Sequence, residues 1–224
     1  MTKEAVLEKL GRQGVIAVVR GKTCTDGIRT AEACIAGGVK AIELAFTTPR
    51  AQEAIRTLAE RYAGDPDVII GAGTVLEAIS ARIAILEGAQ FIVSPSFDEE
   101  TIRICNLYRI VSCPGVMAPE GAVQALRAGA DIVKVFPGDI LGTRMIQDLH
   151  GPFPQANLMP SGGVDVPNVA DWLRAGCVAV SAGSSLTGAA KKGDYAGVTA
   201  KAKEFVQAVR EARKESFAEI KRKW

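Results

Sequence analysis

Eight short apolar runs recur along this chain, and their recurrence constrains the fold more than any other feature. They are V-I-A-V-V (15–19), A-I-E-L (41–44), V-I-I-G (68–71), F-I-V-S (91–94), V-S-C-P (111–114), I-V-K-V (132–135), N-L-M-P (157–160) and V-A-V-S (178–181). Their starts fall about 20 to 27 residues apart, and most end at Gly, Pro or Ser. Runs of this length, bounded this way, read as strands. Helical periodicity fills the intervals. Ile28, Ala31 and Ile35 share one face of 26–36, which Gly37 and Gly38 stop, and Ala54, Ile55 and Leu58 share one face of 50–62. The segments A-G-G-V (36–39), L-E-G-A (86–89), R-A-G-A (127–130), R-A-G-C (174–177) and K-K-G-D (191–194) repeat a helix-then-glycine ending.

Strands alternating with helices predict an α/β fold with a parallel sheet, and eight such units predict a closed (β/α)8 TIM barrel. A doubly wound open sheet is the alternative. It usually carries a Gly-rich fingerprint after its first strand, whereas this strand ends A-V-V-R-G-K-T. No linker or low-complexity segment interrupts 1–224, so a single domain is expected. An N-terminal helix should open it. The tail K-E-S-F-A-E-I-K-R-K-W should extend the last helix, with Phe217 and Ile220 on its apolar side.

Bulk properties narrow the function. With 224 residues, 48% hydrophobic and 23% charged, the chain can bury a substantial core. A net charge of +2 supplies no field that would gather nucleic acid, and 5% aromatic content offers no platform for stacking bases. The apolar runs fall short of the roughly 20 residues that span a bilayer. The stretch M-T-K-E-A-V-L-E-K-L is amphipathic and lacks a signal peptide's apolar centre, so a cytoplasmic location is expected. Cys24, Cys34, Cys105, Cys113 and Cys177 are odd in number and form no C-x-x-C pair, which argues against a disulfide framework and a structural zinc site. His150 is the only histidine, which excludes a serine triad and a multi-histidine metal site by count. It reads as a helix C-terminal residue favoured by the dipole.

In a barrel, reactive groups come from the C-terminal ends of strands. Those ends present Arg20, Glu43, Thr74, Pro95 with Ser96, Pro114, Lys134 with Phe136, Gly162 with Gly163, and Ser184. Lys134 lies inside the apolar run D-I-V-K-V-F-P. Burying an ammonium costs several kcal/mol unless it is paired or neutral, and a neutral amine is a nucleophile. A Schiff-base lysine is one reading, and an amine snorkelling from a strand end is the other. Glu43, within A-I-E-L-A-F, is either a general acid/base or the partner of Lys134 or Arg20 in a structural ion pair. S-G-G-V (161–164) and S-A-G-S-S (181–185) follow strands seven and eight, where barrel loops often bind phosphate through backbone N–H groups. Thr74 in G-A-G-T could cap a helix, with Glu77 completing a capping box, or donate its hydroxyl to a ligand carboxylate.

The motifs G-G-V-K-A-I-E-L, I-I-G-A-G-T-V, F-I-V-S-P, C-P-G-V-M, K-V-F-P, G-P-F-P, P-S-G-G-V and A-G-S-S-L occur in one order between residues 37 and 186, and carry a resemblance that covers about residues 5 to 210. In that order the chain resembles the 2-keto-3-deoxy-6-phosphogluconate aldolases. That family includes aldolases for 4-hydroxy-2-oxoglutarate and 2-keto-3-deoxy-6-phosphogalactonate. The resemblance implies that Lys134 forms the Schiff base and that Glu43 transfers protons. It also implies that Thr74 holds the pyruvyl carboxylate, that Gly162, Gly163 and Ser184 bind phosphate, and that Phe136 and Pro95 wall the pocket. It implies retro-aldol cleavage to pyruvate and glyceraldehyde 3-phosphate, no cofactor or metal, and a homotrimer. The best-known members carry an arginine four residues after the glutamate, where this chain has Thr47. Arg20 at the end of strand one matches an arginine of other branches and is expected to supply the missing guanidinium. The rival readings are another phosphate-binding barrel, which would need no amine on strand six, and a barrel serving as an assembly scaffold.

Overall fold

The computed structural model describes the backbone of residues 1–222 and the side chains of residues 1–214. Helix α1 (Lys3–Gln13) precedes strand β1 (Val15–Val19), and α2 (Cys24–Ala36), β2 (Ala41–Ala45), α3 (Ala51–Arg61) and β3 (Ile69–Gly73) follow. Then come α4 (Ala78–Leu86), β4 (Phe91–Val93), α5 (Glu99–Leu107), β5 (Val111–Cys113), β6 (Gly115–Val116), α6 (Pro119–Arg127) and β7 (Val133–Val135). The chain continues through α7 (Gly138–His150), β8 (Leu158–Pro160), a 3-10 turn (Val166–Asn168), α8 (Val169–Arg174) and β9 (Val180–Ala182). It ends with α9 (Ser184–Thr187), a second 3-10 turn (Gly188–Lys192) and α10 (Tyr195–Arg222). The α10 helix carries the backbone into the tail, as the sequence predicts; the side chains of Phe217 and Ile220 lie outside the described residues.

All strand pairings within the sheets are parallel. One sheet runs β5-β4-β3-β2-β1-β9 and the other β6-β7-β8. The predicted fifth strand is split between them at Pro114. Proline has no N–H to donate to a ladder, so the pairing breaks there. Its carbonyl still accepts from the Lys134 N–H at 2.9 Å. A single parallel bridge, Ser161 with Ser181, joins β8 to β9.

Two sets of buried side chains flank the strands. The larger lies between the strands and the helices. The smaller draws on all eight apolar runs, through Ile16, Ala41, Ile69, Phe91 with Val93, Val111 with Cys113, Ile132, Met159 and Ala179, and packs them against Val6 and Leu10 of α1. The N-terminal helix thus plugs the end of the structure where the strands begin. It is capped by Thr2, whose hydroxyl accepts from the Ala5 N–H, and stops at Gly14 with φ 73°. Burying Leu10 and Val6 contributes about 2 kcal/mol each.

A polar clasp fastens the same plug. Lys3 Nζ lies 2.9 Å from Asp131 Oδ2 with both side chains largely out of solvent, and it donates to Asn106 Oδ1 at 2.7 Å. The same Asp131 oxygen accepts from the Ser112 N–H at 2.8 Å. Removing this carboxylate leaves a largely buried ammonium without its counter-charge and the buried Ser112 N–H without its acceptor at once. Asp131→Ala is therefore expected to cost about 3 kcal/mol. The check is the midpoint of urea unfolding, which should fall clearly; an unchanged midpoint would show that the clasp contributes nothing.

Candidate active site

At the C-terminal ends of the strands lies a cleft of about 540 Å3. Its walls include Arg20, Thr74, Pro95, Lys134, Phe136, Gly162, Gly163 and Ser184, all of them among the strand-end residues singled out from sequence; Glu43, Thr47, Ser96 and Pro114 are not among its lining residues. A groove of similar volume opens on the far side of Gly163, between α7 and α8. It holds neither Lys134 nor Arg20, so the first cleft is the candidate site.

Lys134 is held at the centre of β7 by pairing to Gly115 on β6 and Met159 on β8. Its side chain is 6% exposed, and what remains open faces the cleft. Among the described residues its amine has no ion pair and no hydrogen bond. The nearest recorded contact is the Phe136 ring, with its centroid 5.1 Å away. The snorkelling alternative requires an exposed head group, and this amine is not exposed.

Glu43 sits on β2 between Val18 and Gly71 and is 1% exposed. It pairs with neither Lys134 nor Arg20. Its Oε2 accepts from Ser181 Oγ at 3.4 Å, and Ser161 Oγ donates to Ser181 Oγ at 3.5 Å. This long, weak chain runs from the cleft wall at Ser161 to the buried carboxylate. Gly73 makes room for that carboxylate, because a Cβ at this position would overlap it. The G-A-G-T segment therefore contributes space as well as a hydroxyl. Both serines stand first in motifs quoted from the sequence, yet their side chains were not singled out there. Which face of a strand end points inward was the signal needed.

Thr74 adopts φ 54°, a left-handed conformation that is unusual for a β-branched residue. It does not cap α4. Glu77 does so itself, accepting from the Ser80 and Ile79 N–H groups. Free of that role, Thr74 lines the cleft. Thr47 is exposed and is not among the lining residues. Its neighbour Thr48 is the one turned inward; it is buried, and its Oγ1 accepts from the Gly21 N–H at 3.1 Å. That bond ties down the loop bearing Arg20. The Arg20 guanidinium lies over Gly183 and has no ion pair among the described residues.

Opposite Arg20, two loops expose backbone donors. Among the described residues the N–H groups of Gly162, Gly163, Val164, Ser184 and Ser185 donate to no protein atom, and all five residues line the cleft. Gly162 (φ 92°) and Gly163 (φ 68°) need glycine for backbone conformation. A Cβ on Gly163 would also strike Asp139. Converging N–H groups of this kind form an anion nest. Asp165, the carboxylate on this wall, is occupied in capping the 3-10 turn through the Val166 N–H at 2.7 Å.

The cysteines offer no rival nucleophile. All five are free and buried. Burial pushes the Cys34, Cys105 and Cys177 thiols up to about 12. It raises Cys113 well above the usual range, with the charges of Asp131 and Glu43 adding to the effect and Lys134 opposing it. Thiols so shifted are protonated at neutral pH and inert.

Known proteins carry the same architecture. Residues 6–201 match the KDPG and KHG aldolase family. A 2-dehydro-3-deoxy-phosphogluconate aldolase of Treponema pallidum is 34% identical over 207 residues, covering 91% of this chain and 97% of the relative. A 2-dehydro-3-deoxy-6-phosphogalactonate aldolase of Escherichia coli K12 is 34% identical over 199 residues, covering 88% and 95%. The KDPG aldolase of Legionella pneumophila, solved with pyruvate captured as a covalent carbinolamine, superposes with a TM-score of 0.80 at 28% identity, covering 91% of this chain and 97% of that one. On the extent of these matches, this chain belongs to the KDPG and KHG aldolase family.

Proposed function

We propose that this chain is a Schiff-base aldolase that reversibly cleaves 2-keto-3-deoxy-6-phosphogluconate to pyruvate and glyceraldehyde 3-phosphate. The observation that carries the reading is the buried, unpaired amine of Lys134 in the wall of a cleft that also holds an anion nest. The amine attacks the C2 ketone as its free base, and loss of water from the carbinolamine with uptake of one proton from solvent, returned at the final hydrolysis, gives an iminium. Glu43 accepts the C4 hydroxyl proton, relayed through a water because the carboxylate is buried. The C3–C4 bond breaks, its electrons flow into the iminium, and the phosphorylated aldehyde leaves. Glu43 returns the proton to C3 of the enamine, and hydrolysis frees pyruvate and the amine.

The surrounding residues take roles suited to their positions. The nest of Gly162, Gly163 and Ser184 holds the phosphate, Thr74 the pyruvyl carboxylate, and Phe136 and Pro95 the hydrocarbon backbone of the substrate. Arg20 supplies a guanidinium from strand one where other family members use the position of Thr47. Its planar fork suits an oxyanion.

Two features support a single closed (β/α)8 barrel over 1–224. The interior cluster draws on all eight apolar runs, and the two sheets meet at Pro114 on one seam and at the Ser161–Ser181 bridge on the other. The homotrimer reading is supported by α4, where Ile79, Ile83 and Leu86 expose a stripe continued by Leu76. Among the described residues no helix is long and apolar enough to cross a membrane, and the cytoplasmic location remains a proposal.

Coupling pyruvate release to lactate dehydrogenase tests the activity. Turnover of 2-keto-3-deoxy-6-phosphogluconate is expected, and none with this substrate, its C4 epimer or 4-hydroxy-2-oxoglutarate would reject the reading. In the same assay Arg20→Ala should lower kcat/KM tenfold or more, about 1.4 kcal/mol of lost transition-state binding. An unchanged value would remove Arg20 from the site. Gly73→Ala should displace the Glu43 carboxylate and lower kcat by roughly 100-fold, about 2.7 kcal/mol, while pyruvate still forms its adduct with the lysine. A wild-type kcat would mean that the carboxylate's position does not matter.

A further inference from the structure

The anion nest of the cleft is assembled from both sheets. Gly162, Gly163 and Val164 follow β8 of the three-stranded sheet, and Ser184 and Ser185 follow β9 of the six-stranded one. Within each sheet, ladders hold neighbouring strands about 4.8 Å apart. Leu158, Met159 and Pro160 of β8 pair with β7, and Val180, Ser181 and Ala182 of β9 pair with β1. Between β8 and β9 the ladder shrinks to the single bridge of Ser161 with Ser181. Beyond that bridge, strand pairing does not set the separation of the two halves of the nest.

Each half is fixed from its own side. The Ser161 carbonyl accepts from the Gly138 N–H at 2.7 Å, and the Gly163 carbonyl accepts from Asn168 Nδ2 at 2.8 Å. Neither donor residue lines the cleft, so these carbonyls are drawn away from it. In a trans peptide the C=O and the next N–H point opposite ways, which turns the Gly162 and Val164 N–H groups inward. On the other half, Thr187 Oγ1 donates to the Val18 carbonyl of β1 at 3.3 Å and to the Gly183 carbonyl at 3.0 Å, seating α9 on the first strand. One hydrogen bond then joins the halves. Ser185 Oγ donates to the Val164 carbonyl at 2.6 Å, and among the described residues no other hydrogen bond links 162–168 to 182–187. Its length is that of a well-made O–H···O bond.

We propose that Ser185 is a positioning residue for the anion nest, and that its hydroxyl makes the cleft selective for sugar acids that end in a phosphate. This rests on the aldolase reading. A phosphate reaches N–H groups on both loops only while the loops keep one separation. Donors held at that separation in advance spend little on ordering when the dianion arrives. The same acid without its phosphate has no group that spans the two loops, so it gains little from the tie.

Phosphorus NMR titration of the full chain with inorganic phosphate tests the tie without turnover. Ser185→Ala keeps the backbone N–H but not the hydroxyl, and should bind phosphate about tenfold more weakly than the wild type. Ser185→Thr keeps the hydroxyl and should restore most of that affinity. No phosphate binding by the wild type, or equal affinity in Ser185→Ala, overturns the proposal. The pyruvate assay then compares 2-keto-3-deoxy-6-phosphogluconate with the same acid lacking its phosphate. The ratio of their kcat/KM values should fall about tenfold in Ser185→Ala, through the KM of the phosphorylated acid, and recover in Ser185→Thr. A ratio that stays constant because both acids lose rate equally would mean that Ser185 only supports the fold, and overturns the selectivity. A wild type that cleaves neither acid rejects the aldolase reading, while the phosphate titration still decides whether Ser185 sets the nest.

Discussion

An amine taken out of water without a counter-charge is the constraint around which the upper half of this molecule is organised. Lys134 is 6% exposed and unpaired, and Glu43 is 1% exposed with only a 3.4 Å contact from Ser181. Either group, buried alone, would cost several kcal/mol if charged. The structure tolerates both because the layers beneath them are apolar and complete. Phe91, Ile16, Met159 and their neighbours fill the interior, and α1 seals its far end. The Lys3–Asp131 clasp holds that seal with charges that, unlike those of the cleft, are matched. Paired charge sits where the fold needs fastening, and an unpaired amine sits where a substrate is proposed to react.

The cleft divides its labour between side chains and backbone. The lysine and the carboxylate rise from strands β7 and β2, whose ladders leave little freedom to drift. The proposed anion recognition falls to loops, through five N–H groups that are without acceptors among the described residues. Such donors are already oriented before a phosphate arrives, so binding spends little on ordering them. Thr48 extends the same logic to the arginine by holding the Gly21 N–H at the base of its loop.

Much of this was legible in the residues, and what was missed has a common cause. The alternation of apolar runs and helices reflects burial on both faces of parallel strands, which periodicity reports directly. All five helix-then-glycine endings do place a glycine at positive φ, at Gly38, Gly88, Gly129, Gly176 and Gly193. His150 does end α7, and its ring meets the Ala156 carbonyl at 3.2 Å. The break at Pro114 was visible in principle, since proline cannot donate, but the run V-S-C-P reads as continuous without knowing which neighbour pairs with each half. Thr47 and Thr48 show the limit most plainly. Adjacent residues after a strand point to different sides, and sequence alone does not say which one faces in. Gly73 is the same problem in reverse, since its role is the space it leaves for Glu43 on the next strand.

The account stands on Lys134 as the covalent nucleophile, and trapping its adduct tests that most directly. Wild-type protein incubated with pyruvate and reduced with borohydride should gain one pyruvyl group per chain. Peptide mapping should locate it on Lys134, and Lys134→Ala should gain none. An adduct on a different lysine, undiminished labelling of Lys134→Ala, or no adduct on the wild type would contradict the central claim.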